Sequence, residues 1–228
     1  MPDTDPAAPP ADTAGSEPGP PARKRPKPGE RRVQILQALA TMLEQPGAER
    51  ITTAALAARL SVSEAALYRH FASKAQMFEG LIDFIEQTVF TLVNQITRRE
   101  AEALAADAQA GPRQAARVVA MVIQFAEKNP GMTRVMVGDA LVFEHERLQQ
   151  RMNQFFDKLE ASLRQCLRDG AAARASATPV ADAQVTAAVL TAFLVGRLQR
   201  YARSGFRRMP SDHLDASLAL ICQKNVAS

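Results

Sequence analysis

The sequence has no tryptophan, only two tyrosines and only two cysteines among its 228 residues. So few large rings disfavour a pocket built to stack an aromatic drug-like ligand. Cys166 and Cys222 stand far apart, which fits two reduced thiols rather than a disulfide or a metal site. Neither falls in a motif with histidine, and no glycine-rich loop of the phosphate-cradling kind occurs. These absences predict a protein that is not an enzyme and needs no cofactor or metal. No uninterrupted run of about eighteen apolar residues occurs, so no membrane span is expected. Met1 to Pro21 also lacks the apolar stretch of a secretory signal, which predicts a cytoplasmic location.

What is present is a mildly basic chain, with formal charge +4 and a pI near 9.4, long enough to bury a substantial core. That balance permits nucleic-acid binding without requiring it. Residues 1–29 are rich in proline, alanine and aspartate and have almost no large apolar side chain, so disorder is expected there. The distal part of this arm is acidic, and the proximal part carries Arg23, Lys24, Arg25 and Lys27, with Arg31 and Arg32 opening the first helix. A basic arm before a DNA-binding domain can follow phosphates or enter a minor groove; the alternative is a solubilising tail.

The most informative stretch is Ile51 to Lys74, I-T-T-A-A-L-A-A-R-L-S-V-S-E-A-A-L-Y-R-H-F-A-S-K. Thr52 is placed to cap a short alanine-rich helix ending near Leu60, Ser61-Val62 makes a turn, and Ser63 caps a second helix. Glu64 suits the positive end of that helix's dipole, and Leu67 and Phe71 fall four apart on an inward face. The outer face then holds Ser63, Glu64, Tyr68, Arg69 and His70, an inventory suited to base edges and phosphates in a major groove. By itself the pattern also fits a surface helical hairpin with no partner.

The remainder reads as helices. One from about Glu30 to Glu44 completes a three-helix head, with Ile35, Leu36, Leu39, Met42 and Leu43 on one face and Gln45-Pro46-Gly47 as its stop. A long helix follows from about Lys74 to Glu100, leaving Phe84 at the margin of its inward stripe and Phe90 on the far side. Phe90 is then exposed, covered by a neighbouring helix, or part of a partner surface. Gly111-Pro112 opens a helix to about Lys128, Asn129-Pro130-Gly131 turns, and a short piece leads past Gly138 into a long helix ending near Gly170. Glu144, His145 and Glu146, being consecutive, read as solvated surface rather than a metal site. Two helices close the chain, the first capped by Thr178 and the last introduced by Pro210 and Ser211. Val185, Val189, Phe193 and Gly196 on the first, with Leu214 and Leu218 on the last, are the candidate dimer seam; the alternative is that the pair only completes the core.

S-E-A-A-L-Y-R-H-F-x-S-K resembles the recognition helix and following helix start of the TetR family of DNA-binding regulators, whose signature falls here on Leu67, Tyr68, His70, Phe71 and Lys74. The resemblance implies an all-α protein: an arm over 1–29, a helix-turn-helix domain over 30–76, and a helical regulatory and dimerisation body over 77–228. The implied DNA contacts are Thr52 and Thr53 on the first short helix, Ser63, Glu64 and Ala65 at the start of the second, Tyr68, Arg69 and His70 at its end, and Lys74 beyond. E-K-N-P-G-M-T-R-V-M, D-A-L-V-F-E-H-E-R-L-Q-Q-R-M-N-Q-F-F and G-R-L-Q-R-Y-A-R-S-G-F-R are similar to a narrower, nucleoid-occlusion branch of that family. This implies a nucleoid-associated homodimer on palindromic DNA that binds the C-terminal tail of the division GTPase FtsZ and inhibits division-ring assembly over the chromosome. Phe84, Met121, Lys128 and Asn129 are the positions implied for the tail, an apolar anchor, a thioether, a cation and an amide. Leu92 and Gln124 depart from the arginine and glycine of that branch. The competing expectation is an ordinary ligand-responsive repressor of the TetR type.

Overall fold

The computed structural model describes residues 29–45, 51–104, 109–173 and 178–223. Most of the arm over 1–29, the Pro46-Gly47 stop and parts of the connections after Leu104 and Ala173 lie outside the described residues. Among those described, every regular element is helical: α1 (Glu30–Leu43), α2 (Thr53–Arg59), α3 (Glu64–Tyr68), α4 (Lys74–Leu104), α5 (Ala110–Lys128), α6 (Pro130–Met136), α7 (Glu146–Ala173), α8 (Pro179–Arg203) and α9 (Leu214–Gln223). The all-α expectation holds.

The head forms because three short amphipathic helices turn Ile35, Leu39, Leu43, Leu56, Leu67 and Phe71 onto one another, all at or below 1% exposure. Each such side chain taken from water contributes about 1.5–3 kcal/mol before entropy is subtracted. The expected boundary between residues 76 and 77 falls inside the first turn of α4, and the apolar core runs across it: Met77, Phe78 and Leu81 are buried in the same cluster as the head. In the body α5 is central, with Val118, Val119, Val122 and Ile123 fully buried, and α7 and α8 pack side by side along most of their length.

Head and body meet at a close approach that only glycine permits. A Cβ on Gly131 of α6 would stand 1.9 Å from the Ala40 carbonyl oxygen of α1 and 3.2 Å from Leu43 Cβ. A second seam is ionic, between α4 and α7: Arg147 meets Glu79 at 2.7 Å, and Arg151 meets Asp83 at 2.9 Å and Glu86 at 2.6 Å. Burial works against the Arg151 charge, but the hydrogen bonds and negative charges of Asp83 and Glu86 outweigh it and push the guanidinium pKa up.

Several local expectations are corrected. Gly138, at φ 84°, leads into a 3-10 turn over Asp139–Leu141, so α7 starts only at Glu146. Glu144 and His145 therefore precede the helix: His145 Nδ1 accepts the Arg147 backbone N–H at 3.2 Å, and Glu144 is paired rather than solvated. Of the alternatives for Phe90, cover by a neighbouring helix is the one observed: it lies under α7, edge-on to Phe155 with ring centroids 5.5 Å apart. Thr178 stands at the start of α8, but its hydroxyl bonds the Asp182 carboxylate at 3.2 Å rather than capping a backbone N–H. Residues 210–213 form a turn ahead of α9, with the Ser211 N–H donating to the Glu127 carboxylate at 3.1 Å. Finally, α8 is long and apolar enough by composition to cross a membrane, with mean hydropathy 1.4 over an 18-residue window. Counting unbroken apolar runs missed it because isolated polar residues interrupt a helix whose Ala187, Leu190, Leu194 and Leu198 face the core.

Candidate nucleic-acid interface

The helix-turn-helix is held by side-chain caps. Thr52 sits in extended backbone, φ −100° and ψ 154°, and its hydroxyl oxygen accepts the Ala55 N–H at 3.1 Å. Ser63, also extended, accepts the Ala66 N–H at 3.2 Å. Each cap uses an oxygen lone pair and leaves the hydroxyl proton available to an external acceptor such as a phosphate. Between them Ser61 takes the left-handed conformation, φ 53°, and the Val62 N–H returns to the Ala57 carbonyl at 3.0 Å.

A contact across the motif was not legible in the pattern. Thr53 donates its hydroxyl to the Glu64 carboxylate at 2.5 Å, tying the first turn of α2 to the first turn of α3. Both residues were expected to touch DNA; with Thr53's proton engaged, its hydroxyl is an acceptor toward solvent, and Glu64 keeps lone pairs for a base amine. Around them Thr52, Ser63, Glu64, Ala65 and Arg69 are exposed, Tyr68 is 45% exposed, and Thr53, His70 and Lys74 are half-buried. Leu67 and Phe71 point inward at 1% exposure, as the spacing predicts. The recognition helix is short: α3 ends at Tyr68, so Arg69 and His70 extend from its C-terminal turn.

Three further residues position this surface. Arg32 donates from Nη1 to the His70 carbonyl and lays its guanidinium 4.1 Å from the Phe71 ring centre, pinning the first turn of α1 to the end of the recognition segment. Sequence reasoning counted it only as an arm charge. Ser73 and Gln76 close the start of α4: Ser73 Oγ accepts the Gln76 N–H at 3.2 Å, and Gln76 Oε1 accepts the Ala72 N–H at 2.8 Å. The Ser-x-x-Gln spacing was the available signal. Lys74, beside them, pairs with Glu144 at 2.5 Å, so the cation expected on a phosphate is held by the body; the Glu144 side chain is only 8% exposed.

The other expected sites lie away from this face. Gln114 Nε2 donates to the Thr97 carbonyl at 3.2 Å, which sets the antiparallel register of α4 and α5. In that register Phe84, 46% exposed, lies level with the Lys128 end of α5, and Leu92 lies near the middle of α5. Met121, Gln124 and Lys128 recur at helical spacing along α5, half-buried, exposed and exposed. Asn129, half-buried, donates its amide to the Phe125 carbonyl at 2.7 Å, so one amide group is already engaged. On α8, Val185 and Val189 are 63% and 46% exposed, Phe193 and Gly196 are half-buried, and a Cβ on Gly196 would meet nothing within 4 Å. Leu214 and Leu218 turn the other way, 9% and 4% exposed, because α9 lays that face on α5 and α8 of the same chain. The free apolar surface of this helix pair is thus mainly that of α8, continued by a surface groove of about 720 Å³ lined by Phe193, Arg197, Arg200 and His213.

Among the described residues no group of three or more histidine, cysteine or carboxylate side chains stands where it would hold a metal ion. Cys166 and Cys222 are both buried and not joined in a disulfide, at 2% and 8% exposure.

Comparison with known proteins agrees with this layout. Residues 35–81 match the model of bacterial regulatory proteins of the tetR family, and residues 113–225 match the SlmA-like tetracyclin repressor-like C-terminal domain. The chain is 44% identical over 198 residues to the nucleoid occlusion factor SlmA of Idiomarina loihiensis, covering 87% of this chain and 96% of that protein. It is 47% identical over 192 residues to the Vibrio cholerae protein of the same name, covering 84% and 93%. Among solved structures, the fatty acid degradation regulator FadR of Bacillus halodurans aligns with a TM-score of 0.66 at 14% identity over 88% of this chain and 97% of that one. The TetR family regulator PfmR of Thermus thermophilus aligns with a TM-score of 0.62 at 19% identity over 83% and 97%. At those identities the two structures speak for the fold alone.

Proposed function

The chain belongs to the nucleoid occlusion factor SlmA family, within the tetR regulators, and from that premise we propose that it is a sequence-specific DNA-binding factor that couples chromosome occupancy to inhibition of cell division. The observation that carries this reading is where the similarity lies: it extends through the body, residues 113–225, as well as the head. A resemblance confined to the head would speak only for DNA binding.

In this reading a cytoplasmic, nucleoid-associated homodimer apposes the exposed faces of two α8 helices. Its two α3 segments then enter successive major grooves of a palindrome, about 34 Å apart. The hydroxyl protons left free by the caps at Thr52 and Ser63, together with Tyr68, Arg69 and His70, take phosphates, and Glu64 and Ala65 face base edges. The C-terminal tail of FtsZ lies along the α4–α5 surface: Phe84 and Met121 supply apolar contact, Lys128 takes an acidic group, and Asn129 offers its free amide valences.

FtsZ sedimentation with this protein, with and without palindromic DNA, tests the proposal. We expect DNA-dependent loss of pelleted polymer; no effect in either condition leaves a ligand-responsive repressor as the function. Thr52→Ala and Tyr68→Ala are expected to weaken DNA binding by about 1 kcal/mol each. Phe84→Ala and Lys128→Ala are expected to spare DNA binding and reduce tail capture.

A further inference from the structure

We infer that the arginine-rich end of α8 and the turn after it form a docking surface for an acidic peptide segment, one that continues the partner surface at the Lys128–Asn129 corner. This rests on the partner reading above and extends it. From Ala183 to Ser211 the chain holds five arginines and no aspartate or glutamate. Arg197 serves the fold: its Nη1 donates to the Asp212 carbonyl at 2.6 Å and its Nη2 to the Ser217 hydroxyl at 3.0 Å. Arg200, Arg203, Arg207 and Arg208 are exposed, and none of them pairs with a carboxylate among the described residues. Arg207 uses only Nε, on the Ser204 carbonyl at 3.0 Å, which leaves its two terminal nitrogens to an external acceptor. Four like charges held together repel one another, and an acidic ligand relieves that repulsion.

The turn that carries these charges is held in place. Ser204 Oγ accepts the N–H of both Arg207, at 3.1 Å, and Arg208, at 2.9 Å, while Phe206 lies edge-on to Tyr201 and 5.1 Å from the Arg134 guanidinium. The surface groove of about 720 Å³ is lined by Arg200 and Arg208 together with the apolar Phe193, Met209 and Pro210, and Asp212 is the single carboxylate in its lining. Guanidinium forks beside an apolar wall suit carboxylates carried on a peptide chain. Two contacts set this surface against the α5 corner. The Ser211 N–H donates to the Glu127 carboxylate at 3.1 Å, and the Tyr201 hydroxyl donates to the Glu127 carbonyl at 3.5 Å, so the turn rests on the residue before Lys128. Arg207 is four residues from Ser211, at most about 14 Å along the chain, so roughly seven extended residues of a peptide reach it from Lys128. Duplex DNA suits the surface less well. The recognition segment is fastened to α1 at Arg32, whereas Tyr201 feels the charge of Glu44, roughly 18 Å further along that helix. Nor does the surface offer the open rings on which single strands stack, since Phe193 and Phe206 are half-buried and each has an arginine over it.

The test compares the full chain with a variant carrying Arg200→Gln, Arg203→Gln, Arg207→Gln and Arg208→Gln, both bound to palindromic duplex. Labelled peptides are titrated by fluorescence anisotropy: the FtsZ tail, and the same tail lengthened by a run of about six glutamates at one end or the other, enough to span the gap from Lys128. On the full chain one of the lengthened tails is expected to bind about tenfold more tightly than the plain tail, with the gain lost in the variant and screened at high salt. The plain tail should bind both chains alike, and both should bind the duplex with equal affinity and salt slope. No gain from either lengthened tail, or a gain that the variant keeps, overturns the inference. So does a variant that binds duplex more weakly with a shallower slope, which assigns the arginines to DNA, or one that keeps its helix content but sediments as a monomer, which assigns them to the dimer seam. A plain tail that binds neither chain, while the lengthened tails still tell the two chains apart, would instead overturn the FtsZ reading and keep the acidic-peptide surface.

Discussion

Lys74 is paired with Glu144 in the structure and was expected on a DNA phosphate, and replacing Glu144 by glutamine tests whether the pair competes with that contact. In the free protein its ammonium is 2.5 Å from the Glu144 carboxylate, with side-chain exposures of 30% and 8%. A phosphate bound at the start of α4 must draw this cation away from Glu144 or share it. Exposed ion pairs are worth about 0.2–1 kcal/mol, and the burial of Glu144 puts this pair toward the upper end. Glu144→Gln removes the competitor, so each head gains up to about 1 kcal/mol toward phosphate. A dimer docking two heads gains up to about 2 kcal/mol, close to thirtyfold in Kd. If Lys74 is released to one more phosphate per head, the salt slope of the dimer steepens by about 2. Anisotropy titrations of a palindromic duplex at several salt concentrations read both quantities. Lys74→Met supplies the control: the double variant with Glu144→Gln should match Lys74→Met alone, because Glu144 acts only through Lys74. Unchanged or weakened binding by Glu144→Gln would refute the competition and make the pair a positioning contact that DNA preserves.

Three other outcomes are expected. Gly131→Ala should lower unfolding free energy in urea by about 2 kcal/mol or more, because the new Cβ would meet backbone rather than a yielding side-chain end, and an unshifted midpoint would contradict the close approach. Burial, with the nearby Glu127 and Glu44 charges, pushes the Tyr201 phenol above its ordinary value of 10.0. The folded state therefore favours the neutral ring, and its contribution is complete below 10.0 and lost as pH rises through the folded pKa. In a Tyr68→Phe chain, where Tyr201 is the remaining tyrosine, tyrosinate absorbance should appear above 10.0, and Tyr201→Phe should lessen alkaline loss of stability. Val189→Glu places a charge on the exposed face of α8 and should shift sedimentation toward monomer with little change in helix content; an unaltered dimer would move the interface elsewhere.

The helices were legible where the signal is local. Thr52 and Ser63 announced their caps by residue type and position, and Leu67 and Phe71 announced the inward face by spacing. Illegible were contacts between residues distant in sequence. Nothing about Arg32 distinguishes it from Arg31, yet Arg32 holds the recognition segment while Arg31 bonds Gln34 one turn away. Glu144 looked like solvent-facing charge because its partner is seventy residues earlier. The outward side of a helix was equally beyond periodicity when a third helix covers it, as α7 covers Phe90. Leu214 and Leu218 show the converse limit, since an apolar stripe records that something covers it, not whether that is the same chain or another copy.

The glycine joint between α6 and α1 implies a mechanical property of the molecule. With the Gly131 backbone seated against the Ala40 carbonyl and no side chain between them, there is no compressible spacer to absorb a tilt of α1. Asn129 precedes that contact by two residues and marks the corner where α5 ends and α6 begins. The head and the α5 corner thus share a backbone-on-backbone joint, which leaves α1 little freedom to tilt independently of the Lys128–Asn129 corner.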